Sequence, residues 1–152
     1  MIRTHWAIAV ALLLGVGAAN GQEPEAAGQI KTSRGSVSIE RAGARLPVSV
    51  GASVFPADKV RTGEDGAVGI TLRDNTLLSA GPNSLLRLDR FAFDQTTHAG
   101  SMLATVAKGT LSVVTGKIAR QSPQAVEFRT PTSILGVRGT EFVIEVVGGA
   151  EE

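Results

Sequence analysis

Gly66-Ala67-Val68-Gly69-Ile70-Thr71-Leu72-Arg73-Asp74-Asn75-Thr76-Leu77-Leu78-Ser79-Ala80-Gly81-Pro82-Asn83-Ser84-Leu85-Leu86-Arg87-Leu88 decides the fold class of this chain. Val68, Ile70 and Leu72 alternate with Gly69, Thr71 and Arg73, the period of a strand with one buried face. Asp74-Asn75 breaks the run with residues that tolerate positive φ, so a tight turn follows. Thr76 to Ala80 is a second strand and Gly81-Pro82-Asn83-Ser84 a second turn. Leu85 to Phe93 is a long third strand, with Leu86, Leu88 and Arg90 expected on one face.

The same period extends outward in both directions. Ser36 to Glu40 alternates; Arg45 to Val50 does too but contains Pro47, which marks an edge or a strand entry. Ser101 to Ala107 fits one helical face through Met102, Leu103 and Val106, yet it lies between Gly100 and Gly109 among strands, and a strand is the better reading. Leu111 to Val114 and Val126 to Arg129 are short strands. Thr140 to Val147 puts Phe142, Ile144 and Val146 on one face and Glu141 and Glu145 on the other. No helix longer than two turns is supported, which argues against parallel βαβ architecture. Strands recurring about every ten residues imply an all-β domain: a compact antiparallel sandwich or barrel, or a short β-solenoid. No fixed-period repeat separates these.

Met1 to Gly21 reads as a secretory signal peptide: Arg3 is the positive flank, Ala7 to Val16 the apolar run, and Ala19-Asn20-Gly21 the small-residue cleavage site. The run is too short to span the roughly 30 Å of a bilayer comfortably, so cleavage after Gly21 and no stable membrane insertion are expected. The domain is then periplasmic or secreted. Residues 22–28 are expected as a flexible lead, 29–147 as the β domain and 148–152 as a flexible tail.

Composition excludes much chemistry. The chain of 152 residues has no Cys and no Tyr, so disulfides, thiolate metal sites and a Cys nucleophile are out. Formal net charge is +1, which predicts neither polyanion binding nor attachment to anionic lipid. Beyond the signal the one histidine is His98, in the polar stretch Gln95 to Gly100, without a companion ligand or base partner. No Gly-x-Ser-x-Gly elbow and no phosphate loop occurs. Asp58, Asp74, Asp89, Asp94, Glu127 and Glu141 are candidate carboxylates, but none forms a recognisable pair, and stacking rings for sugars are lacking. Asp58, Asp65, Asp74 and Asn75 match no calcium loop and read as turn formers. Arg87, Arg90 and Arg129 read as solvent-facing strand residues, not as a nucleic-acid stripe. No enzyme, metal or cofactor is expected.

Two stretches are denser than alternation requires. One runs from Gly51 through Leu88, the other from Arg129 to Phe142, and Lys59-Val60-Arg61-Thr62-Gly63, Gly66-Ala67, Asp74-Asn75-Thr76-Leu77, Gly81-Pro82-Asn83-Ser84, Gly109-Thr110-Leu111-Ser112-Val113, Thr130-Pro131 and Val137-Arg138-Gly139-Thr140-Glu141-Phe142 follow one another within and between them. In this order they resemble the FecR domain of bacterial envelope proteins, over about Gly28 to Val147. Ala57-Asp58 departs from the family's usual Gly-Asp, and Asn75 stands where the family often has Gly. The resemblance implies an extracytoplasmic all-β domain that contacts another envelope protein, a sensor or receptor, in signal transduction. Only Met1 to Trp6 precede the apolar run, so the anti-sigma activity of the best-known members is not expected. A structural or cell-wall-binding β domain is the alternative. Thr130, Pro131, Arg138, Gly139, Thr140 and Glu141 are the candidate interaction residues. Arg138, with its planar fork of donors, is read first as a clamp on loop carbonyls or on Glu141 and second as a surface site. Phe142 is read as core.

Overall fold

The computed structural model describes Gly21 and residues 24–148. Residues 1–20 of the expected signal and 149–152 of the expected tail lie outside the described residues. Among the described residues twelve strands follow one another: β1 (Gly28–Arg34), β2 (Val37–Arg41), β3 (Ala44–Pro47), β4 (Ser53–Val54), β5 (Lys59–Thr62), β6 (Ala67–Leu72), β7 (Leu77–Ala80), β8 (Leu85–Phe93), β9 (Gly100–Val114), β10 (Val126–Arg129), β11 (Ile134–Gly136) and β12 (Glu141–Val146). One five-residue helix, α1 (Lys117–Gln121), follows β9. No helix among the described residues is long and apolar enough to cross a membrane.

The alternation read from the sequence is the alternation observed. Along β6, Val68, Ile70 and Leu72 are buried while Ala67, Gly69 and Thr71 are half-buried. The turn after it closes through Asn75 N–H to the Leu72 carbonyl (2.9 Å), with Asn75 at φ +68°. β7 returns antiparallel, Val68 opposite Ala80.

All twelve strands form one sheet. Its main path is β3-β2-β5-β8-β9-β7-β6-β1-β4. The long β9 belongs to both halves. Its first part pairs β8 and, in parallel, β10; its second part pairs β7 and β12, both antiparallel. The change comes at Gly109, φ +86°, where a Cβ would run into the Ser84 backbone (2.5 Å). The sheet curls, because Ile30, Ile70 and Leu78 from one half share a single buried cluster with Val60, Leu86 and Phe128 from the other. The architecture is therefore a curled, largely antiparallel half-barrel. Phe128 is fully buried at the centre of β10, worth about 3 kcal/mol on transfer from water.

Two expectations need correction. Arg90 does not share the buried face of Leu86 and Leu88. Leu88 pairs Ala104 but Arg90 pairs Leu103, so Asp89 is the extra residue of a β-bulge. The bulge turns Arg90 outward and Phe91 inward. The lead of residues 22–28 is anchored where it is described. Ala27 is fully buried, its N–H donates to the Val54 carbonyl (2.8 Å), and its own carbonyl accepts from Arg73 N–H (2.8 Å). Ala27 is small enough to enter the core, which its polar neighbours did not suggest.

Candidate signature surface

The residues of the dense stretches divide into two sets. The first set is buried and builds the fold. Asp58, 1% exposed, takes Arg41 as a bidentate partner (2.8 and 2.7 Å) and accepts from Phe55 N–H (2.8 Å). The Arg41 guanidinium also lies 4.6 Å from the Phe55 ring centre. The carboxylate hydrogen bond raises the Arg41 pKa further above its ordinary value. Thr62 Oγ1 donates to the Gly81 carbonyl (2.6 Å) and accepts from Ser84 N–H (2.9 Å). Ser84 Oγ accepts from Thr110 N–H (3.0 Å). These bonds hold the Gly81-Pro82-Asn83-Ser84 turn against the bend in β9.

Asp74 is the second buried hub. Its carboxylate accepts from Thr76 N–H (3.1 Å), the Thr76 hydroxyl (2.8 Å) and Ile118 N–H (3.4 Å). Its carbonyl accepts from Lys117 N–H, and Thr76 Oγ1 accepts from Gly116 N–H (3.1 Å). One turn between β6 and β7 thus caps the start of α1, some forty residues later in the chain. Gly116 has no side chain because a Cβ would press on Thr76 N (2.5 Å) and Asn75 C (2.8 Å).

The second set is exposed. Thr130-Pro131-Thr132-Ser133 turns β10 into β11, closed by Thr130 N–H to the Ser133 carbonyl (2.9 Å). Pro131 stops the β10 ladder because it lacks a donor. Among the described residues β11 pairs only β10, and β12 pairs only β9, so each leaves one edge open there. Between them Val137 is buried and anchors the loop, while Arg138, Gly139, Thr140 and Glu141 are exposed. Gly139 sits at φ +94°. The Thr140 carbonyl accepts from Thr115 N–H (2.8 Å), which ties the loop to the end of β9. Phe142 packs edge-on against Phe128, ring centres 5.4 Å apart, as a half-buried part of the core.

Arg138 does not clamp the loop. Among the described residues it makes no hydrogen bond or ion pair, to Glu141 or to any carbonyl. Its side chain stands instead between two grooves. One, of about 630 Å³, lies between the Thr130–Ser133 turn and β12; the other, of about 650 Å³, lies between the loop that carries Val137 to Thr140 and the region of α1. Ile134 on the open edge is 70% exposed and Val143 on β12 is 64% exposed.

The other candidates are local. Asp65 accepts from Ser36 N–H (3.1 Å), and that bond holds its carboxyl below the usual range. Asp94 accepts from Thr97 and Thr96 N–H, with the same effect. His98, at φ +60°, stacks on Phe93 with centroids 6.0 Å apart. Among the described residues no three His, Cys, Asp or Glu side chains come together as a metal site. Spacing could not show the pairing of the buried Asp58 with the half-buried Arg41, which lie on separate segments of the chain.

Against known families, the model described as FecR protein matches residues 58–151, more than half of the chain. No curated protein and no solved structure matches it. The matched span begins at the buried Asp58 and runs through both sets of signature residues. The chain belongs to the FecR protein family.

Proposed function

We propose that this chain is an exported, non-enzymatic domain of envelope signalling that works by binding another envelope protein through the Arg138 loop and the open β11 edge. The observation that carries it is the division of the signature: one set is consumed by buried hydrogen bonds, whereas Arg138 is exposed with no partner among the described residues. A guanidinium held beside two grooves and an open strand edge offers a planar donor fork for a carboxylate and main-chain groups for an added strand. The apolar run of residues 7–16 supports export, and the lack of any recognisable nucleophile, base pair or metal cluster supports binding rather than catalysis.

The test is a crosslinking pull-down of the chain from its own envelope fraction, read by mass spectrometry, with Arg138→Ala as the paired variant. Recovery of one envelope protein that is lost with a still-folded Arg138→Ala is expected. Equal recovery with both, or none with either, overturns the proposal in favour of a purely structural or cell-wall-binding domain.

A further inference from the structure

Strand register gathers charges that are scattered in sequence. Arg45 on β3 stands opposite Glu40 on β2, and Glu40 opposite Lys59 on β5. Lys59 stands opposite Arg87 on β8, Arg87 opposite Thr105 on β9, and Thr105 opposite Arg129 on β10. At about 4.8 Å per strand this line is about 24 Å long across the outer face of the sheet. Arg61, Arg90 and Lys108 lie in adjoining rows of the same face. Seven cations meet three carboxylates there: Glu40, Asp89 and Glu127. The chain as a whole carries +1, so placement and not composition makes the face basic. Average charge cannot show it.

The face is built rather than incidental. Each carboxylate already sits on a guanidinium: Glu40 on Arg45 (3.1 Å) and Arg61 (3.6 Å), Asp89 on Arg87, and Glu127 on Arg129 (2.9 Å). Arg45, with Arg61 and Lys59 nearby, holds the Glu40 carboxyl below its usual range. Leu85 and Leu103 are buried yet outside the main core cluster. Their cross-strand neighbours are Arg61, Lys108 and Arg90, cations whose long aliphatic stems can cover apolar surface on the outer face. Arg90 and Lys108 make no hydrogen bond or ion pair with any described residue.

We propose that this face docks a protein segment in which carboxylates outnumber cations. Interleaved Glu40, Asp89 and Glu127 would oppose a uniform polyanion such as duplex DNA or an anionic bilayer, whereas a protein surface can answer both signs. The line also ends at Arg129, opposite Ile134 on the open β11 edge, so one partner can cover both. The proposal rests on the reading above that the chain acts through an envelope protein, and it names that partner's chemistry.

The test uses the full chain and a labelled synthetic peptide of alternating Glu and Ser with a single Lys, followed by fluorescence anisotropy. Duplex DNA and phosphatidylglycerol vesicles serve as competing probes. Salt-sensitive peptide binding is expected, weakened about tenfold by the double variant Lys59→Glu, Arg90→Glu and unchanged by Lys31→Glu, an exposed cation on β1. Equal affinity of the double variant, or tighter binding of DNA or vesicles than of the peptide, overturns the proposal. In the pull-down, loss of the partner with Arg138→Ala but not with the double variant sinks this inference alone. Loss of peptide binding on charge reversal, with no envelope protein recovered by the native chain, upholds the face and sinks the broader reading.

Discussion

Asp74→Ala removes a carboxylate that is fully buried and accepts three hydrogen bonds. Two of these are short enough to count fully: Thr76 N–H at 3.1 Å and the Thr76 hydroxyl at 2.8 Å. The third, from Ile118 N–H at 3.4 Å, is weak. Hydrogen bonds to a charged group contribute about 1.5–3 kcal/mol each, and a buried donor left without a partner keeps its full desolvation cost. Two strong bonds and one weak one give a loss of about 4 kcal/mol. That approaches the whole stability of a domain this size, about 5–15 kcal/mol. Asp74→Asn keeps the shape and one acceptor oxygen and should lose about half as much. The assay is urea unfolding followed by far-UV circular dichroism, since Trp6, the chain's one tryptophan, lies outside the described β domain. The slope against urea should stay constant, because the surface exposed on unfolding is unchanged. A loss below about 1 kcal/mol for Asp74→Ala, with cooperative unfolding intact, refutes the idea that this turn braces α1.

Ala57 holds φ +74°, a left-handed conformation that costs a side-chain-bearing residue about 1–2 kcal/mol, so Ala57→Gly should raise thermal stability by about 3 °C in a melting scan. Gly116→Ala places a Cβ against the backbone of Thr76 and Asn75 and should cost more than about 3 kcal/mol, read by the same urea titration. Asp94 has a carboxyl held low chiefly by Thr97 N–H and then by Thr96 N–H. A folded-state pKa below the unfolded value gives stability that is present above the ordinary carboxylate range, about pH 4, and is lost as pH falls through the lowered folded value. Asp94→Asn should therefore be less stable at neutral pH and show a flatter acid limb in melting temperature against pH.

The local signals were legible because they are local. Period-two alternation along Ala67 to Leu72 needs only the pleat, and the turn at Asn75 needs only a residue that tolerates positive φ. Pro47 at the end of edge strand β3 follows from its missing donor. The ordered signature also led to the family, with residues 58–151 matched. What escaped depends on pairing. The bulge at Asp89 is a mismatch between β8 and β9, so neither strand alone announces that Phe91 turns inward to join the face of Leu86 and Leu88. The parallel union of β10 with β9 joins segments that alternation cannot relate. The freedom of Arg138 depends on where the Val137–Thr140 loop is pinned, which is set by Thr115, just past the end of β9. The basic face exists only after the register is known.

Photo-crosslinking in cells from Ile134, on the open β11 edge, tests the central claim most directly. Val50, equally exposed in a loop outside the strands, is the control position. One discrete adduct with an envelope protein from Ile134, absent from Val50 and abolished by a folded Arg138→Ala, is the predicted result. No adduct from Ile134, or the same adduct from both positions, would contradict a signature surface built for a partner.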